Sequence, residues 1–250
     1  MATTAPTTAN AGNPTVVCVF CGAYSGTSPS HLAAARALAH IFHKENITLV
    51  YGGGTGGIMG ELARTLVSLS GPKAVHGIIP TALVKVENGY RMSLTATNAQ
   101  AGGKAPERVV IVDESQEAER KELLGESEYG LTTLVPDMHT RKRTMAQKVM
   151  EGGPGSGFVV LAGGFGTLEE AMEVVTWNQL GIHNRGIVLL NVDGYWDGLL
   201  QWVEKSVEEG FVSKANKGIL VECRSVEEIL GALRNYKLSE ERYSLNWTSS

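Results

Sequence analysis

Five charged side chains and two glycine-rich turns carry the chemistry legible in this sequence. In the stretch FVVLAGGFGTLEE, Gly163, Gly164 and Gly166 follow an apolar run, and Glu169 and Glu170 follow the glycines, with Glu173 one turn further on. Glycines let a backbone turn sharply or approach a ligand closely. A helix opening behind them presents free N–H groups and a partial positive charge, which suits an anion such as phosphate. Carboxylates beside an anion site oppose the ligand's charge, so they read as chemistry rather than affinity. One such carboxylate could stabilise positive charge on a sugar ring or activate water. The same residues also have a structural use. Thr167 is a good N-cap type, and Glu170 three residues later completes a capping box.

The opposing charges come from Arg141 and Lys142. A helix predicted over 136–150 carries Met138, Met145 and Val149 as an apolar stripe, and Arg141 and Lys142 fall within that inward face. They can snorkel or answer a nearby carboxylate. Near the N-terminal end of a helix over a parallel sheet they would instead point into the ligand crevice. There a guanidinium can clamp a phosphate or pair with a catalytic acid.

The second glycine turn runs from Gly52 to Gly57 and includes Gly54, Thr55 and Gly56. Through Gly52, Gly54 and Gly57 it matches G-x-G-x-x-G, but a dinucleotide site wants an acid at the end of the next strand. That strand ends Gly77-Ile78-Ile79-Pro80, with no acid. No P-loop and no G-x-S-x-G elbow is present. The histidines show no metal spacing, and His139 and His183 are placed on loops or helix edges. Cys18 lies inside a strand, about 10 Å from Cys21 if that strand continues, which is too far for a disulfide.

These residues need a scaffold that brings strand ends together. Strands are predicted at 15–20, 47–51, 74–79, 109–112, 131–135, 158–161, 186–192 and 219–220. Helices are predicted at 30–44, 58–69, 136–150, 167–180, 195–209 and 226–233. This βα rhythm predicts an α/β fold: a Rossmann-like, doubly wound parallel sheet with helices on both faces. In such a sheet ligands lie at the carboxyl ends of the strands, so both glycine turns and the loop CGAYSG can line one crevice. The segment 81–105 is ambiguous. The charged run 113–128 (DESQEAERKELLGESE) reads as a solvated insertion or partly ordered helix.

The chain has 250 residues, 43% hydrophobic and 19% charged, which is enough for one α/β domain with a large core. The formal net charge of −4 does not favour a nucleic-acid partner. No apolar run is long enough for a membrane helix. Three cysteines suit a reducing, cytoplasmic setting. Residues 1–14 read as a disordered arm, 15–236 as a single domain, and 237–250 as a polar tail.

The segments AGGFGTLEE, DMHTRKRTM and YGGGTGGIMG, with WNQLGIH and LLN downstream, together resemble the LOG (Lonely Guy) family. Its members are cytokinin riboside 5′-monophosphate phosphoribohydrolases, often mislabelled lysine decarboxylases. The resemblance spans most of residues 16–215. It implies a Rossmann-like homodimer that hydrolyses N6-modified adenosine monophosphates to free base and ribose 5-phosphate, without cofactor or metal. The family's active-site Arg-Lys falls on Arg141 and Lys142. Its phosphate turn falls on Gly163, Gly164, Gly166 and Thr167, and its motif Glu on Glu170, with Glu169 as the other candidate carboxylate. Gly54, Thr55, Gly56 and Met59 would flank the nucleotide, and Glu173 would lie near it. Ala162 replaces the motif proline. Ala23-Tyr24 replaces the usual Ser-Ser, so Ser25 is the candidate for that loop's phosphate contact. Two other readings remain: a broader purine-nucleotide nucleosidase, and a nucleotide or molybdenum-cofactor carrier. Lysine decarboxylation would call for a Schiff-base lysine in a pyridoxal-phosphate site, and no residue pattern specifies one.

Overall fold

The computed structural model describes residues 12–84, 110–112, 122–245 and 247. Among these, nine strands form one sheet: β1 (Val16–Phe20), β2 (Thr48–Tyr51), β3 (Val75–Pro80), β4 (Val110–Val112), β5 (Glu122–Ser127), β6 (Gly130–Val135), β7 (Gly157–Val160), β8 (Gly186–Leu190) and β9 (Leu220–Cys223). The spatial order is β4-β5-β6-β3-β2-β1-β7-β8-β9. From β6 to β9 every pairing is parallel. β5 runs antiparallel to β6, and β4 antiparallel to β5.

The helices are α1 (Pro29–Lys44), α2 (Gly57–Ser70), α3 (Thr81–Val84), α4 (Met138–Glu151), α5 (Phe165–Gln179), α6 (Asp197–Glu208), α7 (Lys214–Lys217) and α8 (Glu228–Arg234). They cover both faces of the sheet, and the strands sort their side chains accordingly with period two. Val17 and Val19 of β1 pack with Leu38 and Phe42 of α1, Leu62 and Leu66 of α2, and Ile229 of α8. Val16, Cys18 and Phe20 pack on the other side with Met145 and Val149 of α4 and Ala171 and Val174 of α5. Cys18 and Cys21 join opposite cores, and all three cysteines are free and buried.

The chain winds outward from β1 in two directions, through β2 and β3 on one side and through β7 and β8 on the other. The topological switch is therefore between β1 and β7, where an open α/β sheet leaves its ligand crevice. Three connections meet above it, and Gly22 links them. Its N–H donates to the Ala162 carbonyl at 2.9 Å, and its carbonyl accepts from the N–H groups of Ile58 and Met59 at 3.1 and 3.2 Å.

One expectation changes. Glu122–Ser127, inside the charged run, pairs as a strand against β6 rather than forming a helix. The rest of that run, 113–121, lies outside the described residues, as do 1–11 of the arm and 85–109 of the ambiguous segment. The C-terminal stretch is tied down where it is described. Tyr243 N–H donates to Gln179 O at 2.8 Å, Arg242 Nη2 to His183 O at 3.0 Å, and Trp247 Nε1 to Leu180 O at 3.1 Å.

Gly57 shows how tightly the connections pack. Its φ is +56°, and a Cβ there would sit 2.4 Å from the Ala23 backbone carbon. Gly57→Ala is therefore expected to cost about 3 kcal/mol, from a left-handed non-glycine residue plus overpacking against backbone. Thermal unfolding should show it as a fall in Tm of roughly 6–12 °C.

Candidate active site

Four helices begin at the carboxyl edge of the parallel strands or beside it, and their N-termini are treated differently. Ser28 Oγ accepts from Ser30 N–H at 3.3 Å and caps α1. The Gly22 carbonyl satisfies the first turn of α2. Asp137 caps α4, accepting from Thr140 N–H at 2.9 Å and from its hydroxyl at 2.8 Å. α5 begins on Gly164, which has no side chain to cap it. The first-turn N–H groups of α5 are thus left for something else to receive.

This corrects the expected cap. The sequence pattern places Thr167 at the N-cap with Glu170 reciprocating, but the N-cap lies three residues earlier, at Gly164, and the helix begins at Phe165. Thr167 is buried in the first turn, with its hydroxyl folded over Gly163. A Cβ on Gly163 would stand 2.1 Å from Thr167 Oγ1. Glu170 is therefore free of the backbone and turns inward.

There it meets Arg141. Nη1 of Arg141 lies 2.8 Å from Oε1 of Glu170, and the two residues are only 8% and 6% exposed. The guanidinium is fixed from three sides. Nε donates to the Ile78 carbonyl at 3.1 Å, Nη1 lies 3.9 Å from Met138 Sδ, and Nη2 passes over Gly52. A Cβ on Gly52 would be 2.1 Å from Nη2 and 3.2 Å from Met59 Sδ. Nη1 and Oε1 are close enough for an ion pair, but Oε1 lacks an aligned hydrogen bond. A sealed carboxylate oxygen without a hydrogen bond is costly, and the guanidinium beside it offsets that cost. Burial, opposed by Arg141, pushes the Glu170 carboxyl above its usual range, and the neighbouring Glu169 and Glu173 push the same way.

The other three charges form a second group. Lys142 is paired with Glu169 and, at 3.1 Å, with Glu173. Burial pulls the ammonium down, but these two carboxylates outweigh it and hold its pKa above the ordinary value. Glu169 is half-exposed. Of the two candidate carboxylates, Glu170 is therefore the dry one beside the guanidinium, and Glu169 is neutralised by Lys142.

A cavity of about 380 Å³ opens above the β1–β7 switch, lined by the Gly22–Tyr24 loop, Gly26, Thr27, Ile58, the Ala162–Gly164 turn, His31 and Tyr195. Gly163 and Gly164 line it, and Gly166 and Thr167 follow in the first turn of α5. Gly54 is buried in the β2–α2 turn, with Thr55 half-buried and Gly56 exposed. Ser25 is exposed and is not among the lining residues. His183 is buried, with Nε2 2.8 Å from the Val174 carbonyl, so it serves the end of α5. His31 and Tyr195 carry no signal in the sequence, because neither belongs to a glycine turn or a charge cluster. Among the described residues no group of three His, Cys, Asp or Glu side chains could hold a metal.

The architecture is a doubly wound α/β fold, and solved structures agree on it. A molybdenum cofactor binding protein from Rippkaea orientalis superposes with a TM-score of 0.54 at 14% identity, over 89% of this chain and 97% of that one. The molybdenum cofactor carrier protein of Chlamydomonas reinhardtii does so with a TM-score of 0.53 at 13% identity, over 89% and 98%. The profile of a family described as "possible lysine decarboxylase" matches residues 59–233. The cytokinin riboside 5′-monophosphate phosphoribohydrolase LOG2 of Arabidopsis thaliana is 37% identical over 220 residues, 88% of this chain and 83% of that protein. A bifunctional cytokinin biosynthesis protein of Fusarium pseudograminearum is 44% identical over 238 residues, 95% of this chain but 44% of that longer protein. The chain belongs to the LOG family. A pyridoxal-phosphate lysine, which the profile's description would imply, does not fit here. Lys142 is held as an ammonium by two carboxylates, whereas Schiff-base chemistry needs the neutral amine.

Breaking the buried pair from one side leaves an uncompensated charge. Arg141→Met is expected to lower unfolding stability by about 3–5 kcal/mol near neutral pH. Glu170 already has a raised folded pKa, and losing the cation raises it further. The loss should therefore shrink as pH falls and Glu170 takes up a proton, and grow as pH rises. Urea titrations of both proteins across pH 5–8 would show this convergence.

Proposed function

We propose that this chain hydrolyses the N-glycosidic bond of cytokinin riboside 5′-monophosphates, that is N6-modified AMP, to free base and ribose 5-phosphate. The observation that carries this reading is the buried Glu170 carboxylate, lacking an aligned hydrogen bond, one and a half helical turns behind the uncapped N-terminus of α5. That pairing suits a substrate with an anion at one end and developing positive charge at the other. The 5′-phosphate sits on the N–H groups of Gly164 to Thr167, where the helix dipole favours it. Glu170 faces the sugar and stabilises the oxocarbenium character that develops as the C1′–N9 bond lengthens. It also orients the water whose oxygen bonds to C1′, while the departing base keeps the bond's electron pair and takes a proton. Arg141 holds Glu170 in place and balances its charge, and Lys142 fixes Glu169 and Glu173 away from the reaction.

The relatives' names support the same substrate class. A plain carrier of a nucleotide or cofactor has no use for a buried carboxylate beside an anion site. We further read the chain as a cytoplasmic homodimer. Three free buried cysteines fit a reducing compartment. The exposed rings of Phe165 and Tyr24, 96% and 87% accessible beside the crevice, offer apolar surface that a second copy would cover.

The test is release of base from isopentenyladenosine 5′-monophosphate and from AMP by the wild type, Glu170→Gln and Arg141→Ala. The prenylated substrate should be cleaved faster than AMP, and kcat should fall about 10²–10⁴-fold in either variant. Nucleotide binding without base release from either substrate would overturn the enzymatic reading in favour of a carrier.

A further inference from the structure

The cavity above the β1–β7 switch has a wall that the phosphate turn does not supply, built from His31 and Tyr195. The Tyr195 hydroxyl donates to the Gly163 carbonyl at 2.5 Å. Its ring meets His31 edge-on, with centroids 5.4 Å apart at 78°, and is braced behind by Trp196 at 4.8 Å. His31 is the third residue of α1 and is held from the far side by the loop. A Cβ on Gly26 would stand 3.1 Å from its Cδ2.

Among the described residues the His31 ring makes no hydrogen bond. Nδ1 is sealed from solvent without a partner, and Nε2 is not among the sealed atoms. Either tautomer leaves Nδ1 without a partner. With the N–H on Nε2, the open edge of the ring is a donor at the cavity wall. Tyr195 makes the complementary change. The Gly163 carbonyl is an acceptor at the anion site and would repel a phosphate oxygen, but the phenol hydroxyl occupies it.

We propose that His31 is a phosphate-binding residue: its Nε2–H donates to the 5′-phosphate seated at the start of α5, and Tyr195 is the positioning residue that holds the ring and masks the Gly163 carbonyl. This rests on the placement of the 5′-phosphate at Gly164–Thr167 given above. Its consequence is selectivity for the monophosphate over the dephosphorylated riboside.

The test compares wild type with His31→Phe, His31→Gln and Tyr195→Phe, using base release from the riboside monophosphate and from the riboside, and calorimetric binding of ribose 5-phosphate. Melting curves confirm that each variant folds. His31→Phe should raise KM for the monophosphate and weaken ribose 5-phosphate binding about tenfold, the loss expected for one hydrogen bond to a charged group. Its kcat should stay within about twofold, and turnover of the riboside should not change. His31→Gln, which keeps a donor, should recover part of the loss, and Tyr195→Phe should fall between them. Unchanged ribose 5-phosphate binding in His31→Phe, or equal losses on the two substrates, would overturn the assignment. The binding arm needs no turnover. If no nucleotide is hydrolysed while ribose 5-phosphate still binds through His31, the enzymatic reading fails and this one stands. If the wild type does not bind ribose 5-phosphate, this one fails.

Discussion

The buried ion pair between Arg141 and Glu170 is the constraint on which the backbone around it depends. Two charges taken out of water are tolerated only when each finds the other and the remaining donors are satisfied. The chain meets that demand with the Ile78 carbonyl at the end of β3, with a glycine at 52 where any side chain would strike Nη2, and with an α5 that starts early enough to free Glu170 from its own backbone. Each of these is a local backbone feature that the pair needs. What remains is one carboxylate oxygen paired with the guanidinium but without an aligned hydrogen bond, on a carboxyl that burial pushes above its usual range. Stability is spent there on a group that could serve a ligand.

The topology makes the meeting possible. Arg141 and Glu170 are far apart in sequence and sit on helices over the same face of the sheet. They approach each other because β1 and β7 are neighbours at the point where strand order reverses. Gly22 ties the loop after β1 to the turn after β7 and to the start of α2. The three connections are therefore tied into one rim rather than left as three separate loops.

The sheet was legible in the sequence because parallel strands are buried on both faces and read as unbroken apolar runs. Phe158–Val160 and Ile187–Leu190 are of this kind. Glu122–Ser127 was not, because an antiparallel strand added outside the parallel block, between β4 and β6, carries charge and glycine that read as solvated surface. The start of α5 was misplaced because Thr167 and Glu170 spell a capping box. Only the tertiary partner, Arg141, decides that the carboxylate is needed elsewhere. The Arg-Lys pair and the glycine turns could be picked out by residue type and spacing. His31 and Tyr195 could not, since their role depends on an orphaned nitrogen and on a carbonyl contributed by a different strand's loop.

The most direct measurement of the central claim is a double-mutant cycle on the pair, read twice, in unfolding free energy and in kcat/KM for the prenylated monophosphate. If Arg141 and Glu170 are a mutually dependent buried pair, Arg141→Met with Glu170→Leu will be more stable than the sum of the single changes predicts, with a coupling of about 2 kcal/mol or more. If Glu170 is also the group that meets the sugar, the double variant will recover stability and stay inactive. A coupling near zero would contradict the pair as the organising contact, and a double variant that regains turnover would contradict Glu170 as the working carboxylate.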